Sequence, residues 1–392
     1  MNALKSKFQR LHLHLAVPIL LLLSVSLAAP AQATTYTALE LGSLGGVYTF
    51  ALGINASGQV VGQAFTPGSD AFDARAFITG ANGLGMTDLG TLGGRGSVAN
   101  GINASGQVVG FAAVAGDTAY HAFITGSNGV GMTDLGTLGG AYSIANGINA
   151  SGQVVGFAAV AGDTASHAFI TGSNGVGMTD LGTLGKTDSI ANGINASGQV
   201  VGQAFTRGNV DARAFITGSN GVGMTDLGTL GGAYSIANGI NASGQVVGQA
   251  DIAGDAAHHA FITGANGIGV IDLGTLGGIY SVAYAINASG QVVGGSETVG
   301  NPAFSAFITD PNGVGMTDLN SLVSLPVGIY LTSALGVNDL GQVIAWSNFG
   351  RSYLLTPVPE PDVWAMMLLG LGIVGLTARR RRNMIEQSIT II

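Results

Sequence analysis

The side chains equipped for acid–base or metal chemistry recur at fixed places along the chain. Histidines stand at His121, His167, His258 and His259, at the edge of A-F-I-T stretches, and an aspartate opens each D-L-G-T-L-G-G, at Asp88, Asp134, Asp180, Asp226 and Asp272. Imidazoles and carboxylates are common zinc ligands and general bases. Here they are dealt out one set per repeat, so equivalent groups fall in different structural units instead of converging on one ion. Gly-Asp pairs at Asp117, Asp163 and Asp255, and Asp70 and Asp73 in the corresponding loop of the first repeat, offer too few carboxylates per loop for calcium, which takes six to eight oxygens. D-L-G-T-L-G-G is not a phosphate loop, since no Lys-Ser/Thr follows it; its aspartates are expected to accept from backbone N–H groups at a strand end. Asn-Ala-Ser matches a glycosylation sequon six times, but a turn accounts for it.

Uniformity argues against catalysis. Residues 101–146 and 147–192 differ only at Tyr120/Ser166, Gly140/Lys186, Ala141/Thr187 and Tyr142/Asp188. An active site brings together a nucleophile, a base and donors of different kinds, whereas repetition presents one surface several times. The expectation is a protein that is not an enzyme, with no catalytic residue, metal site or cofactor. Multivalent weak binding or a structural role suits such a surface.

Composition narrows the partners. Between residues 34 and 362 there are six basic side chains (Arg75, Arg95, Lys186, Arg207, Arg213, Arg351) against twenty acidic ones. Nucleic acid is therefore not an expected partner, because phosphate binding relies on clustered Lys and Arg. Cysteine is absent, which removes disulfides, thiolate ligands and thiol nucleophiles. Sixty-six glycines and only 9% charged residues, with abundant Val, Ile, Ala and Thr, suit short strands joined by tight turns.

The elements that carry these groups repeat in order. The asparagine of G-I-N-A-S-G-Q-V-V-G stands at Asn55, Asn103, Asn149, Asn195, Asn241, Asn287 and, in a degenerate copy, Asn338, giving spacings of 48, 46, 46, 46, 46 and 51 residues. A-F-I-T follows at Phe77, Phe123, Phe169, Phe215, Phe261 and Phe307, with an altered copy at Tyr353-Leu354-Leu355-Thr356. Each period reads as two hairpins, one turning at Asn149-Ala150-Ser151-Gly152 and one at Asn174-Gly175. Neither would be stable alone, so repeats must stack to bury Ile148, Val154, Phe169, Ile170 and Leu181.

An all-β fold follows, either a seven-bladed β-propeller of four-stranded repeats of about 46 residues or, alternatively, an open β-solenoid. The chain ends favour the propeller. Residues 36–44 are a spare fourth-strand motif, and the seventh repeat stops after its third strand. Closing the ring with the N-terminal segment would cover both open edges.

Both termini read as addresses. Lys5, Lys7 and Arg10 precede an apolar run over 15–27, and Ala31-Gln32-Ala33 supplies a cleavage site, so 1–33 is a signal peptide and Ala31 and Ala33 mark its cleavage. The repeat domain then occupies 34–357. From 358 to 392 lies a sorting region: Val358, Pro359, Glu360 and Pro361, an apolar stretch 363–378, and Arg379, Arg380, Arg381 and Arg382. As a helix 363–378 would span about 24 Å, a short transmembrane segment helped by snorkelling arginines, which keep their end cytoplasmic.

The run V-P-E-P-D-V-W-A-M-M-L-L-G-L-G-I-V-G-L-T-A-R-R-R-R resembles the PEP-CTERM sorting signal of exopolysaccharide-producing Gram-negative bacteria; the tail 383–392 beyond the arginines departs from it. The resemblance implies recognition by exosortase, a sorting enzyme of the inner membrane, transient anchoring there, and delivery to the cell surface or outside. The repeats resemble the HAF family of extracellular repeats, on His121-Ala122-Phe123, His167-Ala168-Phe169 and His259-Ala260-Phe261, with Arg75, Arg213 and Ser305 replacing the histidine elsewhere. Together they imply an exported surface or matrix protein associated with exopolysaccharide or biofilm. The alternatives are a lectin-like carbohydrate-binding propeller, for which Tyr120, Tyr142, Tyr234 and Tyr280 are the recurring aromatics, and, less favoured, a hydrolytic propeller enzyme.

Overall fold

A computed structural model describes residues 34–359, except 69–72, 186 and 207–210. Ala31 and Ala33, Glu360, Pro361, the segment 363–378 and the four arginines 379–382 lie outside the described residues. Among the described residues no helix is long and apolar enough to cross a membrane.

The hairpins expected from the repeat form four-stranded antiparallel sheets. In the third blade the strands are Gly139–Ile148, Val154–Val160, Ser166–Thr171 and Met178–Asp180, hydrogen-bonded in that order from the axis outward. Seven such sheets make a ring, a seven-bladed β-propeller, and the solenoid alternative falls away. The seventh blade takes three strands from the C-terminal end, Leu331–Val337, Val343–Ser347 and Ser352–Pro357, and its outer strand, Tyr36–Glu40, from the N-terminal end. That pairing is antiparallel, from Tyr36 opposite Pro357 to Glu40 opposite Tyr353.

The apolar runs V-V and A-F-I are explained by burial on both faces of each sheet. Successive side chains of a strand point to opposite faces. Val154 and Phe169 accordingly pack backward on Val109, Ala122 and Ile124 of the second blade. Val155 and Ile170 pack forward on Ala191, Val200 and Phe215 of the fourth. The core is thus a set of interblade layers. One fully or almost fully buried phenylalanine anchors each layer from Phe77 to Phe307, and Tyr353 and Leu355 fill the layer between the sixth and seventh blades. Burying each contributes about 1.5–3 kcal/mol, so the layers rather than the turns carry the stability.

The last glycine of Q-V-V-G is set by close approach. A register shift between Ala145 and Gly147 bulges the inner strand of the third blade, and a Cβ at Gly156 would lie 1.9 Å from the Ile144 carbonyl oxygen. In the seventh blade, where Ala345 occupies the position, the inner strand takes another path: its first register shift falls between Leu331 and Ser333, next to Ala334, whereas that of the third blade falls between Gly139 and Ser143. Gly156→Ala should therefore cost about 2–3 kcal/mol, the upper range for overpacking. Gly177→Ala, at φ +67° with nothing within 4 Å, should cost about 1 kcal/mol from backbone strain alone. Equal midpoints in chemical denaturation would remove the close-approach argument.

Candidate functional site

The asparagine that opens each N-A-S-G turn reaches into the neighbouring blade. Within its own turn the Asn149 carbonyl accepts from Gly152 N–H at 3.0 Å. Its Oδ1 accepts from Ser151 N–H at 3.1 Å, Ser151 Oγ at 2.8 Å and Gln153 N–H at 3.0 Å. Its Nδ2 donates to Gln153 Oε1 at 2.8 Å and to the Asn195 carbonyl of the next blade at 3.2 Å. The same donation runs from Asn55 to Asn103 and on around the ring, and Asn338 closes it on the Asn55 carbonyl at 3.0 Å. Asn100, Asn146, Asn192 and Asn238, at the inner-strand bulges, add a second tie, each donating to an alanine carbonyl one blade on at 2.8–2.9 Å.

This asparagine ring surrounds the mouth of the axial channel, a space of about 310 Å³ lined also by Ala56, Ala104, Ala242 and Asp339. Deeper in, Ile54, Ile102, Ile148, Ile194, Ile240 and Ile286 line about 220 Å³. Both hydrogens of each ring amide are spent on the protein itself. The channel therefore offers a ligand aliphatic surface, saturated amides and, at its mouth, the Asp339 carboxylate, one oxygen of which accepts from Ala288 N–H at 2.9 Å.

The sequence-selected histidines and aspartates meet in pairs on the rim. His121 Nδ1 lies 2.7 Å from Asp134 Oδ2, His167 2.7 Å from Asp180, and His259 2.9 Å from Asp272. Where arginine replaces histidine the contact persists, Arg75 with Asp88 at 3.2 Å and Arg213 with Asp226 at 3.5 Å. Ser305 Oγ donates to Asp318 at 3.1 Å, and in the seventh blade Arg351 reaches Glu40 at 2.8 Å. The other oxygen of each aspartate caps its own turn, as Asp134 Oδ1 accepts Gly136 N–H at 2.7 Å. Each pair thus joins the third strand to the outer strand of one blade. Sequence reasoning placed the aspartates at a strand end but missed this partner; the signal was a donor side chain thirteen residues before every aspartate.

The Gly-Asp pairs are hairpin locks. Asp117, Asp163 and Asp255 sit at φ +53°, and their Oδ1 atoms accept from the N–H groups of Arg95, Ala141 and Ala233 at 2.7 Å. Among the described residues no group of three or more His, Asp or Glu is placed to hold a metal ion.

Two places break the repetition. At the fifth and sixth blades His258 stacks obliquely on Tyr280, with centroids 4.7 Å apart. Burial pushes its imidazole below the usual range, against the pull of the neighbouring Asp251 carboxylate. Asp251 is itself raised, by burial and then by Asp255. Glu297 accepts from Ile279 N–H at 3.1 Å, so that carboxylate has a backbone task. At the seam of the first and seventh blades, Tyr48, Phe50, Phe65 and Trp346 form an edge-packed aromatic group. Beside it Val47, Tyr48, Phe50, Phe65 and Pro67 line a pocket of about 540 Å³. Of the recurring tyrosines, Tyr120 packs edge-on against Phe111 and Tyr142 against Phe157.

No curated protein matches this chain. Among solved structures, an oligogalacturonate lyase from Vibrio parahaemolyticus is similar over 83% of this chain and 92% of its own, at 10% identity and a TM-score of 0.49. The β-propeller domain of the Trilobed protease from Pyrococcus furiosus covers 76% and is itself covered to 90%, at 10% identity and 0.48. TolB from Acinetobacter baumannii covers 77% and is covered to 80%, at 11% identity and 0.41. Residues 357–382 match the PEP-CTERM protein-sorting motif, so this propeller ends in a signal that implies exosortase processing and export in a Gram-negative bacterium.

Proposed function

We propose that this chain is an exported, non-catalytic protein of the cell surface or extracellular matrix, held transiently in the inner membrane through 363–378 and sorted by an exosortase-type enzyme. In this reading it contacts exopolysaccharide through weak sites repeated around the ring. The observation that carries it is the recurrence of one polar set, a donor paired with an aspartate, in blade after blade. Such a surface multiplies modest contacts by avidity, whereas turnover needs unlike groups gathered once. The resemblance of the repeats to the HAF family supports placement outside the cell.

A second reading, a lectin-like propeller with one defined site, is favoured by the aromatic pocket at the seam, since pyranose faces pack on exposed rings. Binding of the region 34–357 to a glycan array and to matrix polysaccharide separates the two. Multivalent contact predicts that Tyr48→Ala with Phe65→Ala lowers binding by less than about threefold, and the single-site reading predicts that it abolishes binding. A measurable hydrolysis of the bound polysaccharide, lost on one substitution in a folded protein, would replace both readings with an enzyme.

A further inference from the structure

In the first six blades the third and outer strands are joined by Asn-Gly loops, and each loop ends in an aliphatic residue. These are Leu84, Val130, Val176, Val222, Ile268 and Val314, spaced 46 residues apart and each between 63% and 75% exposed. The loops stand beside the N-A-S-G turns: Gly129 N–H donates to the Gly106 carbonyl, and Gly175 N–H to the Gly152 carbonyl, both at 3.0 Å. The six aliphatics therefore encircle the asparagine mouth of the channel on one face of the ring.

In the seventh blade the segments entering at Thr35 and leaving at Val358 take the place of that loop. Strand Ser352–Pro357 runs out on this face through Val358, whose N–H donates to the Thr35 carbonyl at 2.8 Å. Leu340, 65% exposed, stands in the adjoining turn. Across these loops and turns the charged residues are Asp310 and Asp339. The opposite face carries the Gly-Asp hairpins and the Arg95 contacts with Asp73 and Asp117.

Single exposed aliphatics need no explanation, but a circlet of them on a nearly uncharged face is a different surface. Its occupant is indicated by where the chain goes. Four residues, 359–362, separate Val358 from the apolar segment 363–378, and fully extended they reach at most about 14 Å. We propose that this face is a lipid-docking surface whose aliphatic circlet enters the headgroup boundary of the bilayer that receives the C-terminal segment. The proposal rests on reading 363–378 as a membrane anchor. Association of this kind scales with buried apolar area, and with so little charge on the face it should be insensitive to salt.

The chain has no cysteine, so single cysteines can carry an environment-sensitive dye. In full-length protein reconstituted into phosphatidylcholine vesicles, dye at Val176→Cys should shift to the blue and be quenched by lipid-borne quencher. Dye at Ala161→Cys, on the other face, should report water. A dye at 176 that stays in water while the protein resists carbonate extraction overturns the proposal and leaves the anchor intact. Extraction by carbonate instead fails the anchor reading, and the isolated ring then decides. Among the described residues all strands and the closure lie within 36–357, so the region 34–359 is a closed fold, and it should partition onto the same vesicles. Replacing Val130, Val176, Val222 and Ile268 together by serine should lower that partitioning about tenfold or more with unchanged circular dichroism. Equal partitioning of parent and variant, or a blue shift that rises with protein concentration without vesicles and marks pairing with a second copy, overturns it.

Discussion

Deleting residues 36–46 should destabilise the ring by about 5 kcal/mol or more and promote association through the uncovered edge. The deletion strips the outer strand from the seventh blade and leaves the edge of Ser352–Pro357 without its partner. It removes Tyr36 from the core against Val293, Leu319 and Leu355, and Leu41 from the closing layer against Val60, Phe77 and Leu354. Two such side chains are worth about 1.5–3 kcal/mol each, before the lost ladder is counted. The contact of Arg351 with Glu40 goes as well, but as an exposed pair it adds little. An uncovered strand edge is a template for pairing with another chain. Thermal melting and size-exclusion chromatography decide the matter, and a deletion variant that melts and elutes with the parent contradicts closure by this strand.

Asn195→Ala should cost about 3 kcal/mol, and Asn195→Asp more than that at neutral pH. Alanine leaves the part-buried N–H groups of Ser197 and Gln199 without their side-chain acceptor and takes from the Asn241 carbonyl one of its two donors, the other being Gly244 N–H at 3.0 Å, at about 1–3 kcal/mol for a group left unsatisfied. Aspartate keeps the acceptor but replaces the donating amide with a charge facing two oxygens, Gln199 Oε1 and the Asn241 carbonyl. Burial and those two facing oxygens raise the folded-state pKa of the introduced carboxyl, against the downward pull of the Ser197 and Gln199 donors on its other oxygen. Protonation therefore favours the folded form, so the variant should regain stability as pH falls through that raised pKa and lose it as pH rises. Denaturant titrations at several pH values check the sign. An aspartate variant as stable as the parent at neutral pH would mean that the interblade donation carries no weight.

A good part of the fold is legible in the residues alone. N-A-S-G and Asn-Gly specify turns through their backbone preferences: Gly152 takes φ +77° and Asn174 φ +54°. The incomplete seventh repeat and the spare motif at 36–44 specify seven blades and the joining of the chain ends, because an open edge on each side of a sheet is costly. The segment 357–382 is recognisable because its parts are contiguous in sequence.

What the sequence could not decide depends on groups brought together by the ring. Asn149 reads as a turn residue, and its turn is where expected; only the placement of the fourth blade 46 residues on gives its amide a second acceptor. His121 reads as an isolated histidine until the outer strand folds back and sets Asp134 2.7 Å away. Val176 reads as one more apolar residue of a repeat. Strand direction and closure decide that it and its equivalents share one face with the outgoing C-terminus. Local sequence determines backbone conformation through sterics and short-range hydrogen bonds, whereas partners and faces are set by contacts between blades that no single repeat contains.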